Sequence, residues 1–350
     1  MADPIKTQQR LGFIDTLKGI CCLLIVLHHL AFYGPMSDAA YPLIPGVIDF
    51  FFEYGRMAVS AFLVIGGFLT GQIICKPNVF VKKSVVEFIW SKYIRLVIPY
   101  VAAIALAITC SFIASRWMAH SSLSASPKPA QLTSHLFLLQ NLLGYESLSA
   151  GLWYIEIDFQ LFLVTLLLVF FIERLSPASW SYGMTHTISI GIIAVLTMGS
   201  LFIFNLNQTL DTTFLYFYSS YGLGILVAYL TRERTAYFFL LLICMTVSLS
   251  LYLNFRERIL ISLIISVLLY MLYQKAWMNA RIWATPLTYL GKISYSIFLV
   301  HFPISLLLSA LFWNLYPKNP LMNLIGMGLS ATSSLLVAIV FHRFIERRNI

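Results

Sequence analysis

The chain has 350 residues, of which 59% are apolar and only 11% charged, with a mean hydropathy of +0.84. A soluble domain carries about 25% charged residues, so lipid is the solvent for most of this chain. The net charge of +9 does not point to nucleic acid, because the cations lie in short clusters between apolar runs, where they set membrane orientation.

The first residues, Met1 to Phe13, are polar, and the apolar run after them lacks a small-residue cleavage site, so it reads as an uncleaved first span. Runs near the ~20 residues needed to cross ~30 Å of hydrocarbon follow in order at 17–34, 50–74, 94–114, 150–172, 187–204, 213–230, 236–253, 259–273, 287–312 and 323–342. The spacing predicts an all-α, polytopic membrane protein of about ten transmembrane helices, the eighth being the shortest. The longest polar stretch, Arg116 to Thr133, reads as a Ser/Pro-rich loop. Residues 1–350 are therefore expected to form a single transmembrane domain without an appended soluble one.

Placing the N-terminus in the cytoplasm puts seventeen of the 23 Lys and Arg on that side, among them Lys6, Arg10, Lys18, the cluster from Lys76 to Arg95, and Arg343 to Arg348. Five, namely Arg116, Lys128, Arg256, Arg258 and Lys318, fall on the other side, and Arg56 lies near the outer end of a span. This positive-inside bias predicts that both termini are cytoplasmic, with the Asn254 to Arg258 loop as the local exception. Cys21, Cys22, Cys75, Cys110 and Cys244 have no metal-ligand spacing and read as small hydrophobes. No metal site is expected.

An ionisable group in hydrocarbon costs about 2.5–3.5 kcal/mol on insertion scales, so each one needs a reason. In the first span Asp15 and Lys18 stand at the start and His28 and His29 near the far end. Lys18 and His29 are eleven residues apart, close to three turns and about 16 Å along the axis, so they share a face from which His28 turns by about 100°. A neutral imidazole there can act as a general base; the spacing alone also allows a histidine pair anchored at the interface. Lys92 and Arg95 are i, i+3 neighbours at the mouth of the third span, suited either to phosphate binding or to orientation. In Leu152-Trp-Tyr-Ile-Glu-Ile-Asp-Phe-Gln160, Glu156 and Gln160 share one face and Asp158 the opposite one. Two acids there are costly against lipid, although negative charge also favours a helix start. His301, just before Pro303, reads by itself as a satisfied structural histidine. There is no Gly-x-Ser-x-Gly elbow, Walker loop or His-Glu-x-x-His motif.

Taken in order along the chain, these segments resemble the membrane-bound acyltransferase 3 family, bacterial O-acyltransferases that modify surface polysaccharides and related glycosides. Asp15-Thr-Leu-Lys18 through His29 is similar to the family's Asp-x-Leu-Arg, ten residues and a histidine, with Lys18 in place of arginine. Phe62 to Leu69 resembles its Phe-Phe-x-x-Ser-Gly-Phe-Leu, with Gly66 for serine; Lys92-x-x-Arg95 resembles its basic motif. Trp153-x-x-x-x-Asp158-x-Gln160 carries aspartate where the family usually has glutamate, Gly291 to Pro303 matches the late motif with Ser294, Tyr295 and His301, and Glu346 resembles the terminal acid.

The resemblance implies ten helices, no metal, an acyl-CoA donor, most simply acetyl-CoA, and a carbohydrate acceptor at the periplasmic face of a bacterial inner membrane. It assigns His29 as the base and Lys92, Arg95, Lys18, Ser294 and Tyr295 to the donor. Lys18 is also counted with the catalytic set, as are Asp158 and Glu156, either of which can orient the histidine or the acceptor. Asp15, His301, Trp153 and Gln160 are expected to line the site. Membrane lipid surrounds the chain, nucleic acid has no part, and the oligomeric state stays open. Two other readings use the same features. One is a secondary transporter of a sugar or lipid with the buried charges as an ion relay, and the other a non-catalytic partner of a glycan synthase.

Overall fold

The computed structural model describes residues 11–77, 79–177, 179–233, 236–280, 283 and 285–347. Lys6, Arg10, Arg234, Arg281 and Arg348, which enter the charge count, lie outside the described residues. The described chain forms α1 (Gly12–Phe32), α2 (Pro35–Ala40), α3 (Pro45–Tyr54), α4 (Ala58–Ile74), α5 (Val79–Lys82), α6 (Val85–Ala114), α7 (Pro129–Leu136) and α8 (Leu152–Leu175). It continues through α9 (Tyr182–Phe202), α10 (Phe214–Leu230), α11 (Ala236–Leu253), α12 (Glu257–Gln274), α13 (Pro286–Lys292), α14 (Ser294–Leu315) and α15 (Pro320–Phe341), which ends in a π-helical turn, His342–Glu346. The protein is all-α and polytopic: among the described residues nine segments are long and apolar enough to cross a membrane.

The expected span missing from these nine, 213–230, is α10, with 17 residues, about 26 Å of helix and so short of the ~30 Å core. It packs against α4, α8, α9 and α12 and buries three of its four tyrosines, Tyr216, Tyr218 and Tyr221. Because protein rather than lipid covers it, its length need not match the bilayer. The short eighth run proves to be the 18-residue α12.

Glycines set the closest crossings. A Cβ at Gly67 would strike the Tyr221 carbonyl and one at Gly224 the Val64 carbonyl, so α4 and α10 touch backbone to backbone, as small residues permit between membrane helices. The same holds for α1 and α13 through Gly19 and Gly291. The expected span 287–312 is accordingly broken in two: α13 seats on α1, and after Ile293 the chain turns into α14.

The 116–133 stretch expected as loop contains the start of α7, which opens with Pro129 at its first position, where the missing N–H costs nothing. Tyr93 donates to the Leu136 carbonyl at 2.8 Å, fastening α7 to α6. His135 is fully buried. Its Nδ1 donates to the Gln131 carbonyl at 2.8 Å and its Nε2 accepts from the Leu148 N–H at 3.2 Å, while burial holds its pKa below the ordinary 6.5. Arg256, one of the two cations in the Asn254 to Arg258 loop, is half-buried. It donates to the Leu201 carbonyl and to Asn205 Oδ1, both at 2.9 Å, and to Ser250 Oγ, tying the α9–α10 and α11–α12 links together.

Candidate active site

Two cavities open at opposite ends of the bundle. The first, about 700 Å³, lies at the end where α1 begins, and its walls carry Lys18, Lys76, Lys92, Arg95 and Lys292 against Asp15, Asp158 and Glu346. We call it the basic cavity. The second, about 880 Å³, is lined by Trp153, Tyr216 and Phe217 together with Ser121 to Ser124, Glu146, Asn205 and Asp211 from connecting segments. Both volumes lie within the ~300–1,000 Å³ of small-molecule sites.

Two histidines that line neither cavity stand where the walls approach each other, with Phe298 of the basic cavity and Phe302 of the second on either side of His301 along α14. His29 comes from the last turns of α1, and its Nδ1 lies 2.7 Å from Nε2 of His301 on α14; the rings stack 4.9 Å apart at 14°. His301 Nδ1 lies 3.0 Å from the Ile297 carbonyl, an acceptor only, so Nδ1 of neutral His301 carries the proton and its Nε2 is a bare acceptor. The 2.7 Å contact then requires the proton on His29 Nδ1. That leaves His29 Nε2 with a free lone pair and, among the described residues, no hydrogen-bond partner. His28 faces elsewhere: its Nδ1 bonds the Phe51 carbonyl of α3 at 3.0 Å, and its Cβ fills the space that Gly55 leaves open.

The two carboxylates lie on opposite faces of α8 as read from the sequence, and neither contacts His29. Glu156 is fully buried and accepts from the Asn141 N–H at 2.9 Å, the Leu142 N–H at 3.2 Å and Gln160 Nε2 at 3.0 Å, so it anchors the segment after α7. Asp158, on the other face of α8, pairs with Lys92 at 2.6 Å inside the basic cavity. The side chain that fixes the His29 ring is His301, which by itself read as a structural histidine and by resemblance as lining the site. Its role is invisible one-dimensionally because its partner is 272 residues away. A signal was present, since a histidine in mid-span needs a partner.

The other singled-out residues fall on the walls, except Gln160, which lines neither cavity and spends its amide N–H on Glu156. Lys18, Arg95, Asp15 and Ser294 line the basic cavity, as does Tyr295, whose hydroxyl is already spent on the Leu96 carbonyl at 2.7 Å. Lys92, paired with Asp158 and lying 5.1 Å over the Phe162 ring, is part of the wall's framework, whereas Arg95 is exposed. Trp153 lines the second cavity. Glu346 of the π turn meets Ser296 Oγ at 2.5 Å and His342 Nδ1 at 3.0 Å, closing the basic end beneath α14.

The bundle thus holds a buried histidine pair near the wall that two cavities share. The family model for the acyltransferase 3 group, described as an acyltransferase domain, matches residues 11–343, and the chain belongs to that family. It is a membrane acyltransferase. Neither a search of curated proteins nor one of solved structures gives a match.

Proposed function

We propose that the protein transfers a short acyl group, acetyl above all, from acyl-CoA on the cytoplasmic side of a bacterial inner membrane to a hydroxyl of a surface or lipid-linked carbohydrate on the periplasmic side. The observation that carries this reading is the His29–His301 pair standing between a basic cavity and a cavity of aromatic and polar groups. The excess of cations in the basic cavity suits the phosphates of CoA, with Arg95 offering a fork and Lys18, Lys76 and Lys292 point charges. Trp153 and the loop hydroxyls and carboxylates of the second cavity suit a sugar, with a flat apolar face for the ring and acceptors for its hydroxyls.

In the reaction the acceptor hydroxyl gives its proton to His29 Nε2 while its oxygen attacks the thioester carbonyl. The C–S bond then breaks, and the imidazolium returns the proton to the leaving CoA thiolate. His301 acts as a positioning residue: by accepting from Nδ1–H it keeps the reactive lone pair on Nε2 and supports the charge that forms there, as the third group of a catalytic triad does.

The test uses membranes holding the full chain, given acetyl-CoA radiolabelled in the acetyl group. Label should enter the glycan fraction, and the C-terminus and Lys76 should be reachable from the cytoplasm while Glu146 is reachable only from outside. Failure of label to reach any glycan would overturn the reading; labelling of Glu146 from the cytoplasm would overturn the direction.

A further inference from the structure

The walls that separate the two cavities belong to the same three helices, and each presents neighbouring residues to opposite sides. On α4 Phe62 lines the basic cavity and Leu63 the other; on α8 Tyr154 and Trp153 divide in the same way; on α14 the division falls between Phe298 and Phe302, one turn apart. The three aromatics on the basic side touch in series, Phe62 to Tyr154 at 6.1 Å and Tyr154 to Phe298 at 5.4 Å between ring centroids. Phe298 reaches on to His301 at 6.1 Å, so the row ends at the histidine pair.

Phe298 has little freedom to swing away. Its ring lies against Gly151, the residue before α8, where φ is +91° and a Cβ would come within 3.0 Å of the ring. Tyr154 is wedged between Phe298 and the perpendicular face of Trp153, 6.2 Å away. A packed interior of this kind has no slack for extra methylenes.

The geometry points to Phe62, Tyr154 and Phe298 as the residues that select acyl length, admitting a two-carbon group to the histidine pair and turning away longer chains. This rests on acyl-CoA occupying the basic cavity. A thioester delivered from that side meets the row of rings as it nears His29, and the carbons beyond its carbonyl need the space those rings fill. A closed apolar site discriminates a single methylene by about 10–200-fold, so four extra methylenes, even with some yielding of the rings, leave a large difference.

The experiment supplies acetyl-, butyryl- and hexanoyl-CoA, each labelled in the acyl group, to membranes holding the full chain, with His29→Ala membranes as the blank. Label in the glycan fraction is counted. The wild-type chain should transfer hexanoyl at least about tenfold more slowly than acetyl. Phe62→Ala and Phe298→Leu should each raise the hexanoyl-to-acetyl ratio by about tenfold. Phe62 is only half-buried, so its ratio is readable even where Phe298→Leu lowers the yield of folded protein. Equal transfer of acetyl and hexanoyl by the wild type overturns the selector, and so does an unmoved ratio in variants that still transfer acetyl; both leave the donor reading standing. Absence of label from every acyl-CoA overturns the donor reading and the selector with it.

Discussion

The two cavities are similar in size and differ in what builds them. The basic cavity is walled by long helices: Lys18 on α1, Lys92 and Arg95 on α6, Asp158 on α8 and Lys292 on α13. Much of the second cavity comes from connecting segments, among them Ser121 to Ser124, Glu146, Ser147, Gln208 and Arg256. Helical walls fix charges in space, whereas loops tolerate change and carry specificity. In the reading proposed above, the rigid end meets a donor whose chemistry does not vary, and the loop-built end meets an acceptor that does. The histidine pair stands at the wall between them, flanked by Phe298 on one side and Phe302 on the other, and the largest predicted effects arise there.

His29→Ala should lower transfer by about 10²–10⁴-fold, the contribution of a general base, while His28→Ala keeps near-normal activity because its ring is committed to the Phe51 carbonyl. His29→Ala should still insert, since removing a polar side chain from a span eases insertion. His301→Leu should lose most of the same factor with His29 intact. His301→Gln, which keeps an acceptor for Nδ1–H, should recover part of it, and a purely structural role for His301 predicts no such recovery. Equal losses for His28→Ala and His29→Ala in a purified assay would erase the distinction between the two faces of α1.

A smaller effect separates the two cations of α6. Arg95→Ala should weaken acyl-CoA binding by about tenfold or more, the loss of a charge-assisted hydrogen bond worth roughly 1.5–3 kcal/mol, with yield and second-cavity properties unchanged. Lys92→Ala should instead lower the yield of folded protein, because it strands Asp158 in a part-buried site. Replacing both residues, Lys92→Met with Asp158→Asn, should restore folding. If the double variant folds no better than Lys92→Ala, the ion pair is not what Lys92 is for.

The ten apolar runs were readable because lipid demands a length and a composition, and every one of them contains a helix. The break at Ile293 was not, since it depends on Gly291 meeting the backbone of Asp15, a contact between the two ends of the chain. Within the site, helix geometry sufficed to turn His28 away from His29 and Glu156 away from Asp158. The partners that give those side chains their roles lie on other elements. Asp158 is 66 residues from Lys92 and Glu156 is 15 from Asn141, and no periodicity along one helix encodes either pairing. Arg256 illustrates the converse: counted in the loop that runs against the charge bias, it is a clamp between two links.

The smallest predicted effect tests whether the loop-built end is as firmly held as the helical one. His135 ties the 115–149 linker together only while neutral, because Nε2 must accept from the Leu148 N–H. Around it lie the Gln131 carbonyl and the ring of Tyr100, 6.2 Å away. Burial lowers its pKa in the folded chain below 6.5, so between the two values the unfolded linker binds the extra proton. The stabilisation is therefore fully present above pH 6.5 and is lost as pH falls through the folded value, at no more than about 1.4 kcal/mol per pH unit. Amide exchange at Leu148 and proteolysis of the linker should both speed up as pH is lowered from 7.5 to 5, while exchange within α4 and α10 stays constant. His135→Asn should expose the linker at all pH values and flatten the response. A response that persists undiminished in that variant would assign the pH dependence to another group and leave the second cavity's loops held by something other than His135.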